Sequence, residues 1–213
     1  MVEISNNLGP LTSKSFPLYI NLLTKKHIEL NQLVQEWGIP RFWARSPGFE
    51  TLFRIILSQQ ISNSAAYVIH RRVKTDLVRI SARTIDKAGE IKLRKLGLTK
   101  QKAYYSCQLA QSVLERRLSI RGLNSLSDSE VISVLCAQPG IGPWTSAVYL
   151  MAALKRIDVW PIGDLALRKG IERLFPQSNS SFLHNTGELW SPYRAVAARL
   201  IWHLYGCLGN KHK

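Results

Sequence analysis

"LCAQPGIGPWTSAVYL", residues 135–150, decides the architecture. Apolar residues at helical spacing lead into it, prolines and glycines interrupt, and helical spacing resumes at Trp144 or Thr145. Gly140 and Gly142 leave the backbone bare and permit positive φ, so the turn is tight and another backbone can come close. The second helix aims its first amide N–H groups at that turn, which is how a helix start binds a phosphate without any side chain. A plain αα-hairpin with a glycine turn would spell the same letters. The rest of the chain has to choose between the two.

The charge balance favours the anion. Among 213 residues, 29 Lys and Arg face 14 Asp and Glu, a formal net charge of +15, and the pI is near 10.1. So large an excess makes a polyanion the leading partner. The chain carries no basic amphipathic tail or lipidation motif, so a membrane surface is not expected as that partner. With 46% hydrophobic residues and a mean hydropathy of −0.07, it can bury a core and is expected to be soluble. Cys107, Cys136 and Cys207 stand far apart, with no CxxC and no Cys/His cluster, and read as free thiols of a reducing compartment. No apolar run reaches membrane-spanning length and the start lacks a signal peptide, so the expectation is intracellular: cytoplasm or nucleoid, or the nucleus in a eukaryote. Residues 1–15, rich in Ser, Asn, Gly and Pro, are expected to be disordered, ahead of one two-lobed domain over 16–213.

Elsewhere the period is helical and strand alternation is absent, which predicts an all-α fold. One helix is expected over 17–38, ending at Gly38, and a short one after Thr84. Thr99 is an N-cap candidate for the helix that follows, and Ser127 with Glu130 spells a capping box at the start of a helix-hairpin-helix over about 128–154. Between "FETLFRII" and "NSAAYVIH" sits a polar corner, "LSQQIS" at 57–62, which breaks an otherwise apolar run. Downstream, "DVWPIGDLALRKG" puts Asp164 at a helix start, where an N-cap carboxylate is the plain reading. The spacing from Trp144 holds one helix and a return loop, so the same carboxylate can also come back beside the hairpin. Both roles can coexist.

The hairpin stretch followed by "WPIGDLALRKGIERLF" (160–175) resembles the helix-hairpin-helix plus Gly/Pro-Asp signature of a DNA glycosylase superfamily, closest to its 3-methyladenine DNA glycosylase II branch. Further matches are "PGFETLFRIILSQQIS" (47–62), "GLTKQKAYYSCQLA" (97–110) and "LWSPYRAVAARLIWHLY" (189–205), so the likeness covers roughly 17–206. Departures are an absent N-terminal β domain and absent iron–sulfur cysteines, only Cys207 lying near the end.

The resemblance implies a two-lobed helical fold with an active-site cleft between lobes, and a monomer acting on double-stranded DNA with alkylated bases. It makes Gln60, supported by Gln59 and with Ser62 beside it, the plug that fills the duplex where a nucleotide is everted. Gly140, Gly142 and Thr145 would anchor a phosphate, and Lys100, Lys102, Arg71 and Arg72 would touch the DNA backbone. Asp164 becomes the catalytic carboxylate, stabilising oxocarbenium character and handling the attacking water. Trp144, Trp190 and Tyr193, with Trp43 and Tyr149, would supply electron-rich faces for a cationic purine, although each could equally be core. Arg194 would clamp the flipped nucleotide or pair with a phosphate. Lyase-type relatives carry a lysine where this chain has Trp144, and an indole forms no Schiff base, so hydrolysis without strand cutting is expected. No cofactor or metal is expected beyond a candidate monovalent cation at the hairpin carbonyls. The alternative is a non-catalytic homologue that binds abasic or distorted DNA; uracil or oxidised bases would need an acid the sequence does not place.

Overall fold

The computed structural model describes residues 9–177, 182 and 185–210. Among them the chain is all-α, with no strand. In order come α1 (Phe16–Thr24), α2 (Ile28–Trp37), α3 (Phe49–Ser58), α4 (Asn63–Leu77), α5 (Ala82–Lys95) and α6 (Lys100–Leu114). A 3-10 turn, Gly122–Ser125, leads to α7 (Asp128–Cys136), α8 (Pro143–Ala152) and α9 (Leu165–Leu174). A second 3-10 turn, Thr186–Trp190, precedes α10 (Arg194–Asn210). The chain divides into two compact units: a central one, Arg45–Leu154, and a terminal one built from the described residues of Met1–Ala44 and Lys155–Lys213.

In the central unit α3 is the buried axis. Leu52, Phe53, Ile55, Ile56 and Leu57 are all nearly inaccessible, the pattern of a helix covered on most sides. It packs against α4, α6 and α8, while α5 lies along α6 and α7 along α8. Phe53, Leu57, Val73, Ile85, Leu93, Ala103 and Ala110 form one cluster there. The caps were readable: Ser127 and Glu130 form their capping box, and Thr99 accepts the Lys102 amide. The helix expected after Thr84 instead starts at Ala82, because Ser81 is the cap and Thr84 its reciprocal N3 partner.

The terminal unit is organised on α10, whose Ala195, Val196, Ala197, Ala198, Leu200 and Ile201 have no exposed surface. It packs against α1, α2 and α9. The single helix expected over 17–38 is two. The buried face of α1 is Phe16, Tyr19, Ile20 and Leu23, while Leu18 is exposed. Continuing that face would bury His27, and the chain breaks there, with His27 extended as the cap of α2. The expectation of a disordered start fails over residues 9–15. Leu11 is fully buried, its N–H donates to the Lys155 carbonyl at 2.9 Å, and Thr12 and Ser15 bond to each other. Residues 1–8 lie outside the described residues.

Among the described residues no helix is long and apolar enough to cross a membrane, and no group of three or more His, Cys, Asp or Glu is placed to hold a metal. All three cysteines are free; burial, then Glu90 and Asp86, push the Cys107 thiol up to about 11.

Candidate active site and DNA-contacting elements

Asp164 caps α9. Its backbone is extended, and Oδ1 accepts the Leu167 amide at 2.8 Å, so the cap reading of the carboxylate is correct. The same Oδ1 also accepts the indole N–H of Trp202, from α10, at 3.2 Å. What brings the two helices together is Gly170. A Cβ there would come within 2.3 Å of the Ile201 side chain and 3.3 Å of its carbonyl, so only glycine allows this approach. Ile201 is the residue before Trp202.

Trp202 in turn lies 6.3 Å from Trp43, ring centre to ring centre, with 33° between the planes. Trp43 is 38% exposed and is the one expected pocket aromatic of this unit whose ring reaches solvent. Beneath it lies Arg199, only 3% exposed, whose guanidinium is 4.4 Å from the Trp43 ring centre and 5.2 Å from that of Phe42. Arg199 Nη1 donates to the Trp43 carbonyl at 3.0 Å, and burial lowers its pKa to about 10. The unit thus presents a carboxylate oriented by one indole, which itself neighbours a second. Sequence reasoning missed Trp202 and Arg199, because both sit in an apolar helical run that reads as core.

Three expected pocket residues are corrected. Trp190 has no exposed surface and packs on Trp160 at 5.4 Å. Tyr193 is 4% exposed against Tyr19, ring centres 5.6 Å apart, and burial raises its phenol pKa. Tyr149, in the central unit, is fully buried, and its hydroxyl accepts the Gly48 amide at 3.3 Å. None offers a ring face to a ligand. Arg194 is corrected as well. Its Nε and Nη2 reach the two oxygens of Asp158 at 2.8 and 3.2 Å, and Nη1 reaches Glu188 at 2.8 Å. Burial alone would lower the Arg194 pKa; pairing with Asp158 and Glu188 raises it instead. Nε, Nη1 and Nη2 of this guanidinium are thus engaged by acidic side chains of its own unit.

In the central unit the polar corner is a built turn. Gln59 ends α3, and Gln60 is exposed with φ +57°, a left-handed conformation uncommon for a non-glycine residue. Ser62 accepts the Ala65 amide and caps α4. Gln59 turns inward: its Nε2 donates to the Gly140 carbonyl and the Thr145 hydroxyl, both at 2.9 Å. Thr145, expected at the phosphate, is 2% exposed and holds Gln59 instead. Gly140 has φ +77°, and a Cβ on it would fall 2.1 Å from the Tyr105 ring. Gly142 has φ −110°, not positive, and open space around its missing Cβ. Its carbonyl starts α8 by accepting the Ser146 amide, with Pro143 in the first turn, and Trp144 follows half-buried.

The lysines and arginines of the backbone-contact group separate. Lys100 is exposed at the start of α6. Arg71 leans over the Tyr67 ring at 5.9 Å, and Arg72 Nη1 donates to the Leu96 carbonyl. Lys102 is a correction: 9% exposed, it donates to the carbonyls of Leu57 and Gln59, both at 2.7 Å, and burial lowers its pKa. Many acids are spent in ion pairs: Glu50 with Lys74, Asp76 with Lys92, Glu115 with Arg117, Glu172 with Arg168, and Asp158 and Glu188 with Arg194.

Residues 53–191 match the family described as HhH-GPD superfamily base excision DNA repair protein. Over 200 residues the chain is 26% identical to DNA-3-methyladenine glycosylase 1 of Schizosaccharomyces pombe, an alignment covering 86% of this chain and 88% of that one. Its fold superposes on the Schizosaccharomyces pombe 3-methyladenine DNA glycosylase solved with abasic DNA, with a TM-score of 0.73 and 25% identity over 87% of this chain and 95% of that one. A DNA-3-methyladenine glycosidase from Bacillus halodurans gives a TM-score of 0.73 and 27% identity over 91% of both chains. The chain spans 58% of the length of a Bacillus subtilis relative to which it is 27% identical.

Proposed function

Because the chain belongs to the HhH-GPD superfamily of base excision DNA repair proteins, we propose that it is a monofunctional DNA glycosylase that everts alkylated purines of the 3-methyladenine or 7-methylguanine type from double-stranded DNA and hydrolyses the N-glycosidic bond. The observation that carries this reading is the Asp164 carboxylate, oriented by Trp202, whose ring in turn neighbours that of Trp43.

An alkylated purine is cationic and leaves readily. The C1′–N bond breaks with its electron pair going to the base nitrogen, and positive charge develops on the sugar. A carboxylate fixed beforehand stabilises that charge without reorganising. Water then bonds to C1′ and gives up a proton to Asp164 or to solvent. Gln60 fills the gap left in the duplex, and the hairpin amides ahead of α8 meet a phosphate. The open space at Gly142 gives a phosphate room to approach.

With Trp144 where lyases have lysine, the product is an intact strand carrying an abasic site. The protein works as a monomer, wherever the genome is held. A monovalent cation at the hairpin belongs to the same proposal: the Gly140 carbonyl accepts one hydrogen bond, from Gln59, and keeps a second lone pair, whereas the Gly142 carbonyl already accepts both the amide and the hydroxyl of Ser146.

A second reading is a non-catalytic binder of abasic or distorted DNA, favoured by the burial of Trp190, Tyr193 and Tyr149, which leaves few aromatic faces. Asp164→Asn separates them, since asparagine keeps the cap and loses the charge. On methylated duplex the enzyme releases free base, leaves the strand uncut without alkali, and gives no borohydride-trapped adduct. The variant drops base release by about 10²–10³-fold with abasic-duplex affinity intact. No base release from the unaltered protein, together with tight abasic binding, would establish the binder.

A further inference from the structure

The turn that carries Gln60 is gripped from behind. Lys102, on α6, has its ammonium buried and 2.7 Å from the carbonyls of Leu57 and Gln59, at the end of α3. Such carbonyls lack partners within their own helix, and a cation suits the negative end of the helix dipole. One residue's main chain and side chain then carry the connection onward. The Gln59 carbonyl accepts from Lys102, and the Gln59 amide donates to the Gly140 carbonyl and the Thr145 hydroxyl. Tyr105, one turn further along α6, packs its ring on Gly140 so closely that a Cβ would not fit. The Gln60 turn and the hairpin are therefore held by one helix and one unbroken run of hydrogen bonds.

Two considerations say this serves more than packing. A buried ammonium costs free energy that a methionine of similar length would avoid, so the charge is there for the carbonyls it meets. And Gln60, at φ +57° without being glycine, holds a conformation that persists only where the surroundings impose it.

We infer that Lys102 is a positioning residue for base eversion, holding with Gln59 the Gln60 turn at a fixed spacing from the hairpin. This rests on the proposed glycosylase reading. Anchoring of the phosphate and filling of the gap then act as one rigid step, and Lys102 needs no contact with DNA.

The test uses a duplex bearing a tetrahydrofuran abasic analogue opposite 2-aminopurine, whose fluorescence changes when a side chain fills the gap. Lys102→Met removes the grip, and Gln59→Leu removes the link to the hairpin while leaving the Lys102 acceptors in place. Both variants should bind undamaged duplex within about twofold of the unaltered protein yet lose about tenfold on the abasic duplex, with a smaller fluorescence change; the double variant should be no worse than the weaker single one, as expected of members of one network. Equal losses on both duplexes, or none, would overturn the inference and leave Lys102 as packing. Should Lys102→Met not fold, Gln59→Leu decides alone. If the unaltered protein gives neither a fluorescence change nor base release from methylated duplex, the glycosylase reading itself fails and takes the inference with it.

Discussion

The indole N–H of Trp202 and the backbone amide of Leu167 converge on a single oxygen, Oδ1 of Asp164, at 3.2 and 2.8 Å. Two donors on one oxygen fix the rotation of the carboxylate. Trp202→Phe keeps a ring of the right shape and removes one donor. A hydrogen bond to a charged group contributes about 1.5–3 kcal/mol, so single-turnover base release should fall by about 10- to 100-fold. Release at the unaltered rate would mean that Leu167 alone suffices.

The two hairpin glycines should behave differently. Gly140→Ala must push Tyr105 aside and hold alanine at positive φ, at a cost of about 1–3 kcal/mol. Gly142→Ala meets open space at an ordinary φ and should change stability by less than about 0.5 kcal/mol. Denaturant melts of the two variants check this, and equal destabilisation would refute the assignment.

Arg194 should be a matter of folding and not of DNA. Its side chain and that of Asp158 are 25% and 28% exposed, so a double-mutant cycle with alanine should give a coupling of about 1 kcal/mol in thermal unfolding. Affinity of Arg194→Ala for abasic duplex, at a temperature where the variant is folded, should stay within about twofold of the original, as for a residue outside the contacts. A large loss of affinity would restore the clamp.

Acid should weaken the central unit through His70. Its Nε2 lies 3.1 Å from Glu50, but burial first, and then Arg54, hold its pKa below the ordinary 6.5 despite that carboxylate. The unfolded chain therefore binds the proton first. Stability present at neutral pH declines as pH falls through about 6.5, and keeps declining until the folded imidazole is protonated too. Glu50, with its pKa lowered, contributes in a separate window, its share being lost only as the solution becomes more acidic than ordinary carboxylate values. Melting temperatures between pH 7.5 and 5.5 should slope downward for the native sequence and be flatter for His70→Asn. Parallel curves would show that His70 is not the source.

What could be read from the sequence was local. The two hairpin helices, the Ser127 cap and the place of Asp164 at a helix start follow from neighbours a few positions away and stand as read, whereas the φ of Gly142 and the burial of Thr145 do not. Which tryptophan meets Asp164 was not local. Trp190 and Trp202 both sit in apolar surroundings, and the choice depends on how closely α9 and α10 approach, which Gly170 sets against Ile201. Lys100 and Lys102 show the same limit. Two residues apart, they point to different sides of α6, one to solvent and one beneath α3, and nothing in "KQK" says which is which. Arg194 looked available because its partners lie 36 and 6 residues away.

The ion pairs that occupy the acidic side chains bear on how the protein reaches its target. Beyond roughly a Debye length each pair is nearly neutral, so an approaching polyanion meets the field of the surplus cations, a formal +15. Such a field speeds encounter with any duplex and holds the protein loosely enough on the helix to travel along it. Both effects weaken steeply with added salt. Under the proposed function, throughput in a cell would depend on the ionic medium as much as on the carboxylate, and a glycosylase in concentrated salt would stand idle for want of collisions.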